Sequence, residues 1–413
     1  AFNRTVNIPI YTLLFLFINC SLIHVTYNLL SRALAVIWLW WLVIGVFFSA
    51  AHSIVYSGEN IDIERACFIH LLFLFSFQCG VLLIEKKEKC INVIIEFKSS
   101  FIFGIGILIY PYIMFAESFL KIGYIPMLQG GNIVDDMYTI NYGKLYNYKI
   151  IVLFSILYAA HILVHSSTSI KRTLYCLILS SYFFISLFDG KRVIFLAGMI
   201  ILTIYFFKIY GLTFIKRWVG IFFSVLIFVY SSIASLRGGG ARDFEGIHRF
   251  FLAVGVEFKD FAWTVTHFEP FTIPNYSWLA SSLGSFINGF FLSIIDIDKN
   301  DLVHMDSARA WMDIYGIELG IRTGLISELW FEFGYFGLCV IFLFGIFLTK
   351  LTSRIYNEKV LFKFSFYSLL YAYLLMAIMG QSSLLFGVAI TAIYLYFAWI
   401  IVNKLDPILR GEA

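Results

Sequence analysis

Long apolar runs separated by short charged connections make up most of this chain. They fall near residues 8–30, 33–56, 66–84, 101–120, 150–169, 174–188, 193–210, 219–236, 325–349, 361–380 and 383–402. A helix that crosses a hydrocarbon core about 30 Å thick needs roughly 20 residues, and most of these runs have that length. The pattern therefore predicts about eleven transmembrane helices.

The connections between the runs alternate in charge. One set is short and rich in lysine and arginine, as at Lys86, Lys171 and Lys350. By the positive-inside rule, this set and the C-terminus face the cytoplasm. The intervening connections then face outward, and two of them, the external loops 121–149 and 237–324, are long.

Composition supports a membrane protein. Of the 413 residues, 61% are hydrophobic and 14% are charged, and the mean hydropathy is +0.86. A soluble domain is nearer half apolar and a quarter charged, so this chain has too little polar surface to face water on all sides. No Pro- or Ser-rich linker divides it. We therefore predict a single all-α polytopic membrane domain over residues 1–413, surrounded by membrane lipids and with no nucleic-acid partner.

Arginine is frequent in the outward connections. It runs against the positive-inside bias there, most clearly at Arg192, in the short turn 189–192 between two apolar runs. A planar guanidinium group binds phosphate oxygens through two parallel hydrogen bonds. This pattern indicates an outward site for phosphate groups. The outward arginines are Arg4, Arg65, Arg192, Arg237, Arg242, Arg249, Arg309 and Arg322.

The segment 237–249 leaves an apolar run and enters the large external loop. It contains the glycines of 238–240, with Arg237, Arg242 and Arg249 nearby. Glycines let a main chain approach a ligand closely, and the guanidinium groups would suit a diphosphate. The alternative is a flexible glycine hinge whose arginines reach lipid headgroups.

The large loop also has two apolar stretches that are short for a membrane span, Phe250 to Trp263 and Trp278 to Ile295. They are typical of interfacial or re-entrant helices, which would fold the loop back as a lid over a cavity. Aromatic side chains of this loop could stack on sugar rings, although each is more readily explained as part of an interfacial belt. They are Phe261, Trp263, Phe268, Tyr276, Trp278, Trp311 and Tyr315.

Two acidic residues stand at the start of the hydrophobic run 325–349. Glu328 and Glu332 have i, i+4 spacing, which places both carboxylates on one face of a helix. An acid inside a membrane segment indicates function, unless it pairs with a neighbouring arginine. Glu328 is the first candidate for a catalytic base, and Glu245 and His248 in the large loop are second candidates.

Two short acidic patterns could bind a divalent ion. They are Asp62 with Glu64, and Asp296 with Asp298. Such triplets occur by chance in many chains, and further ligands do not converge on either of them. The sequence therefore predicts chemistry without a metal. Protease and hydrolase motifs such as His-Glu-x-x-His and Gly-x-Ser-x-Gly are also missing.

Three features together resemble the Wzy-type polymerases of oligosaccharide repeat units, which build O-antigen and capsular polysaccharide. They are the Gly-Lys-Arg turn at 190–192, the arginine-bearing loop 237–324, and the run Glu-Leu-Trp-Phe-Glu-Phe-Gly-Tyr-Phe-Gly at 328–337. The last is similar to the family pattern Glu-x-Tyr-x-x-Phe-Gly-x-x-Gly, with Trp330 in place of tyrosine. The likeness covers roughly residues 185–350.

The resemblance implies a GT-C-like glycosyltransferase in the bacterial inner membrane, with its active site facing the periplasm. Such an enzyme joins undecaprenyl-diphosphate-linked oligosaccharides en bloc to the non-reducing end of a new repeat unit. It needs no cofactor, and a chain-length regulator protein is an expected partner. With the arginine pattern, this assigns the diphosphate to Arg192, Arg237, Arg242, Arg249, Arg309 and Arg322.

Two other functions remain open at this stage. An O-antigen ligase would share the topology but transfer glycan to the lipid A core. A non-enzymatic transporter of lipid-linked glycans would carry charge near the middle of its helices and show repeated halves, whereas here charge gathers at the outer surface.

Overall fold

The structure is a computed structural model, and part of the chain is described. The described residues are 10–49, 62–85, 95–96, 100–126, 142–188, 193–236, 258, 260–273, 276–286, 294, 296–298, 301–302, 305, 310, 324–379 and 383–409. Within these ranges the chain is helical and has no β-sheet; an isolated bridge joins Glu96 and Val360. The predicted helical class is confirmed.

The helices follow the apolar runs closely. The runs 193–210 and 219–236 belong to two helices that meet at a kink at Gly211, whose backbone is not helical (φ 76°, ψ −178°), and the pair is labelled together as α7 (Val193–Leu236). The charged residues between these runs stay helical, because long basic side chains can extend away from an apolar helix. The helices are α1 (Ile10–Val25), α2 (Leu29–Ser49), α3 (Ile63–Ile84), α4 (Phe101–Ile122), α5 (Ile151–His165), α6 (Ser169–Ser186), α7 (Val193–Leu236), α8 (Trp278–Phe286), α9 (Gly324–Phe333), α10 (Gly337–Asn357), α11 (Leu361–Met379) and α12 (Ser383–Leu409).

Six helical stretches in the described part are long and apolar enough to cross a membrane. The helices α1 and α5 are apolar but shorter, with 16 and 15 residues. These lengths support a membrane protein, while the eleven spans and the GT-C-like architecture stay predictions. The six stretches are Leu29–Val46, Ile63–Ile84, Phe101–Ile122, Val193–Trp218, Gly324–Asn357 and Leu361–Ile378.

The chain forms two compact units, each built from segments that are distant in sequence. Unit 1 contains residues 1–89, 250–353 and 373–389. Unit 2 contains residues 90–249, 354–372 and 390–413. Glu328 and the helical segment 260–267 belong to unit 1.

The core of unit 1 is an aromatic cluster around a buried histidine. Trp38 Nε1 donates to His70 Nδ1 at 3.4 Å, and the ring centroids of His70 and Phe261 are 4.7 Å apart at nearly a right angle. Trp41 and Phe258 pack on the same imidazole, with ring centroids 5.2 and 5.8 Å from that of His70. The helical segment 260–267 thus contributes to this core through Phe261.

Helices α3 and α10 approach each other at two glycines. A Cβ atom at Gly80 would overlap the carbonyl oxygen of Phe342, and one at Gly345 would overlap that of Phe77. Ser76 Oγ also donates to Leu338 O at 2.8 Å. In lipid, helices associate through such close packing because the surrounding tails are as apolar as the side chains.

Buried amides connect the first helices of unit 1. Gln78 Nε2 donates to Asn19 Oδ1 at 2.8 Å, and Asn19 Nδ2 donates to Leu71 O at 3.0 Å. Between α1 and α2, Asn28 Nδ2 donates to Thr352 Oγ1 at 2.7 Å. These bonds specify which helices are neighbours, since an unpaired amide in hydrocarbon is costly.

Unit 2 packs α4, α5, α6 and the start of α7 around aromatic side chains. Phe362 stacks on Phe154 and on Trp399, with centroids 5.3 and 5.1 Å apart. Buried Lys208 donates from Nζ to the carbonyl oxygens of Ile355, at 2.8 Å, and Glu358. A cation at this point stabilises the C-terminus of α10 by satisfying its last carbonyls.

Replacing Gly80 with alanine tests the contact between α3 and α10. The added methyl group meets backbone, which cannot rotate away, so Gly80→Ala should destabilise by about 1–3 kcal/mol. The measurement is the temperature at which detergent-solubilised protein leaves its monodisperse chromatographic peak. The control is Gly106→Ala in α4, where a Cβ would meet nothing within 4 Å. Equal melting of the two variants would contradict the packing described.

Candidate functional site around Glu328

Glu328 is the member of the predicted site that lies in the described part of the chain. The structure therefore does not test whether the arginines gather near it. The other predicted site residues, which lie outside the described residues, are Glu245, His248, Arg192, Arg237, Arg242, Arg249, Arg309 and Arg322.

Glu328 lies in α9, a short helix that is buried from Gly324 to Phe331. Its exposed fraction is 2%. The sequence predicts one helix over 325–349, but the structure breaks it: Gly334 has a φ of 54°, and a 3-10 helix, Gly334–Phe336, separates α9 from α10. Glycine adopts this left-handed backbone readily, which is why it ends helices. Interrupted helices at membrane depth are tolerated where protein or a cavity covers them, and they often mark binding sites.

The carbonyl groups near the end of α9 are bound by residues from another segment. Tyr276 donates from its hydroxyl to Glu328 O at 2.8 Å. The backbone N–H of Phe271 donates to Phe331 O at 2.9 Å. Phe271 and Tyr276 therefore satisfy carbonyl groups near the broken end of the helix and fix the backbone that carries Glu328.

Glu332, the partner of Glu328 in the i, i+4 pair, has a capping role. Its Oε1 accepts from Ser277 Oγ at 2.9 Å, and its Oε2 accepts from the backbone N–H of Trp278 at 3.1 Å. Ser277 Oγ in turn accepts from Ala280 N at 3.2 Å. A carboxylate at a helix N-terminus satisfies backbone donors and interacts favourably with the helix dipole. Glu332 thus holds the N-terminus of α8.

Two buried side chains beside Glu328 carry donors that have no hydrogen-bond partner among the described residues. They are Ser327 Oγ and Trp330 Nε1, whose residues are 0% and 2% exposed. Their i, i+3 spacing puts them on one face of α9. An unsatisfied buried donor costs about 1–3 kcal/mol. Such donors are suited to accepting ligand oxygens as partners, and the sequence analysis did not identify either residue.

Arg65 anchors the neighbouring segment. It is one of the outward arginines that were not assigned to the diphosphate, and its Nη2 lies 2.9 and 2.7 Å from Oε1 and Oε2 of Glu269. Its Nη1 also donates to Val265 O at 3.2 Å. Nearby, Asp62 N donates to Thr266 Oγ1 at 2.7 Å. The start of α3 and the segment 260–269 are therefore connected.

A tight turn at 269–272 follows the Arg65 ion pair. Thr272 N donates to Glu269 O at 3.3 Å across Pro270, and Phe271 has a φ of 66°. Proline at the second position and a positive φ at the third define a type II turn, in which glycine is preferred at the third position. A residue with a side chain pays about 1–2 kcal/mol for this backbone. The sequence analysis did not identify Phe271.

Some aromatic residues proposed as sugar platforms are instead core residues. Phe261, Trp263 and Trp278 are 0%, 3% and 9% exposed, so their rings pack within unit 1. Tyr276 binds the backbone at Glu328. Trp311 and Tyr315 lie outside the described residues.

One residue of the acidic patterns, Asp62, takes part in local structure. Asp62 Oδ1 accepts from Arg65 N at 2.9 Å and caps the N-terminus of α3. Within the described ranges, three or more His, Cys, Asp or Glu side chains do not gather in a group that could hold a metal ion.

No protein-family model, curated protein or solved structure matches this chain.

Removing the carboxylate of Glu332 tests its capping role. Glu332→Ala should cost about 0.5–2 kcal/mol and loosen α8, because the Trp278 N–H loses its acceptor. Amide hydrogen exchange over residues 278–286 measures this locally, and exchange should accelerate there. Ser277→Ala should act in the same direction, and the double variant should lose less than the sum of the two single losses. Strict additivity would show that the two side chains act independently.

Proposed function

We propose that this chain is a membrane glycosyltransferase that polymerises undecaprenyl-diphosphate-linked oligosaccharide repeat units. The observation that carries the proposal is the buried Glu328 on an interrupted apolar helix, within the run that resembles the polymerase pattern. The proposal includes about eleven spans and a GT-C-like architecture. It places the protein in the bacterial inner membrane, with the active site facing the periplasm.

The cost of burying a carboxylate supports a functional role for Glu328. An acid inside a membrane protein is retained where it is paired or takes part in function. Two further donors on α9, Ser327 Oγ and Trp330 Nε1, lack partners in the described part of the chain, as expected of a site that binds a polar ligand. The same helix therefore carries a candidate base and candidate ligand donors.

The proposed reaction is a substitution at an anomeric carbon. The hydroxyl oxygen at the non-reducing end of the acceptor forms a bond to the anomeric carbon of the donor glycan. The bond from that carbon to the carrier diphosphate breaks, and undecaprenyl diphosphate leaves with the electron pair. Glu328 takes the hydroxyl proton, and Glu245 and His248 are the alternative bases.

Guanidinium groups would neutralise the leaving diphosphate. This role falls to Arg237, Arg242 and Arg249 around the glycine run, with Arg192, Arg309 and Arg322 as further contacts. Because the leaving group is already good, the work of the protein is positioning and charge neutralisation. A chain-length regulator protein is the proposed macromolecular partner.

Purified protein in lipid nanodiscs, supplied with lipid-linked repeat units and no lipid A, tests the function directly. The parent protein should produce a ladder of longer glycans. Glu328→Gln should lower turnover by roughly a hundredfold to ten-thousandfold while substrate still binds. Arg242→Ala should weaken donor binding by about tenfold to several thousandfold. The control is Glu64→Gln, which removes a carboxylate from the first turn of α3.

Each alternative gives a different result in this assay. A ligase would make product only after lipid A core is added. A transporter would move lipid-linked glycan across a vesicle membrane and make no ladder under any condition. Parent-like polymerisation by Glu328→Gln would remove Glu328 from the mechanism, and normal donor binding by Arg242→Ala would remove that arginine.

Polymerisation should be independent of divalent metal, because arginines replace the metal in neutralising the diphosphate. Adding a chelator to the nanodisc assay should leave the rate unchanged within about twofold. A ladder that disappears with chelator and returns with magnesium or manganese would contradict this prediction.

A further inference from the structure

We propose that Phe271 is a carbohydrate-stacking platform, on which a sugar ring of the lipid-linked glycan rests beside the end of α9. This inference depends on the proposed function and assigns a substrate subsite to it. The platform consists of the type II turn 269–272 and the exposed ring that the turn presents.

The turn holds a large side chain, Phe271, at a position whose left-handed backbone glycine adopts with less strain. Phe271 has a φ of 66°, and its residue is 71% exposed. A ring this exposed gains little from packing, so burial does not offset the strained backbone. Strain of this kind persists where a side chain has another use, and it concentrates at ligand sites.

The backbone of the turn is held by contacts before it and within it. Before it, Glu269 is held by Arg65. Within it, the N–H of Phe271 donates to Phe331 O at 2.9 Å, and Pro270 lies beside Gly334, where a Cβ would be 3.3 Å from its Cβ. A ring mounted on such a turn is pre-organised, which reduces the entropy lost on binding.

Polar, exposed residues lie near Phe271 in sequence. The neighbouring His267, Glu269 and Thr272 are exposed as well, and the carboxylate of Glu269 is 64% exposed within its ion pair with Arg65. Exposed charges avoid hydrocarbon, so the turn lies in the polar layer and not among lipid tails. An exposed aromatic ring on a turn that also carries a carboxylate and a hydroxyl suits a sugar, whose C–H face is apolar and whose rim carries hydroxyl groups.

The turn is attached to the helix that carries Glu328. The backbone N–H of Phe271 donates a hydrogen bond to the carbonyl oxygen of Phe331, which follows Glu328 by three residues on α9. Three residues correspond to a rise of about 4.5 Å along a helix. The turn that carries the platform is therefore attached to α9 within about one helical turn of the proposed base, a separation that a single repeat unit can span.

The experiment compares full-length variants at position 271 in nanodiscs. Phe271→Gly relaxes the backbone and removes the ring, so the protein should remain folded with an unchanged or higher melting temperature. Its KM for undecaprenyl-diphosphate-linked repeat unit should rise by roughly threefold to tenfold, with kcat within about twofold of the parent. Phe271→Tyr keeps the aromatic face and should retain the parent KM, whereas Phe271→Leu should resemble Phe271→Gly.

A second readout does not depend on catalysis. Saturation-transfer NMR should detect the free repeat-unit oligosaccharide, released from its carrier, on the parent protein and not on Phe271→Gly. The matched control is Phe336→Leu, which changes another exposed phenylalanine of unit 1, 76% exposed and without a positive φ. Its KM and its NMR signal should equal those of the parent.

The outcomes separate the platform from the proposed function. Oligosaccharide binding that requires Phe271, without a ladder from any protein, would keep the platform and overturn the polymerase. A ladder with an unchanged KM in Phe271→Gly would keep the polymerase and overturn the platform. Parent-like behaviour of Phe271→Leu, or an equal loss in Phe336→Leu, would indicate a general apolar contact and also overturn it. Absence of both binding and a ladder would overturn both proposals.

Discussion

Burial away from water is the constraint on which the structure around Glu328 depends. A helix that ends among buried residues must find donors for its last carbonyl groups within the protein. Helix α9 meets this need at its break before Gly334 through the hydroxyl of Tyr276 and the N–H of Phe271. Satisfying these carbonyl groups thus determines where Phe271 and Tyr276 lie, and with them the turn that presents the ring of Phe271.

The same constraint explains how unit 1 selects its helix neighbours. Apolar side chains do not discriminate between lipid and protein, so specificity comes from close backbone contact and from polar pairs. Gly80 and Gly345 supply the first, and the amide bond from Gln78 to Asn19 supplies the second. At the exposed end of α3 the ion pair of Arg65 with Glu269 adds a directional contact, although a pair so open to solvent contributes only about 0–1 kcal/mol.

Local sequence information accounts for the helices and fails at their long-range contacts. Run length and hydropathy are local properties, so the apolar runs coincide with helices, although α10 and α12 extend beyond the ends of their runs. The break at Gly334 was missed because the surrounding residues form a continuous apolar run. The contact of Glu332 with Ser277 and the ion pair of Arg65 with Glu269 join residues far apart in sequence. No spacing rule could identify them.

The comparison of Glu328 with Glu332 shows what the fold adds to the sequence. Both are acids on one face of one helix, and spacing alone ranks them equally. In the structure, each carboxylate oxygen of Glu332 accepts a hydrogen bond at the start of α8. Taking a proton on Glu332 would weaken that cap in every catalytic cycle, because a neutral carboxylic acid is a poorer acceptor for Trp278 and Ser277 than the charged carboxylate. Glu332 is therefore a poor choice for a proton acceptor that must change state repeatedly, and the proposed base is Glu328, the buried acid in the run that resembles the polymerase pattern.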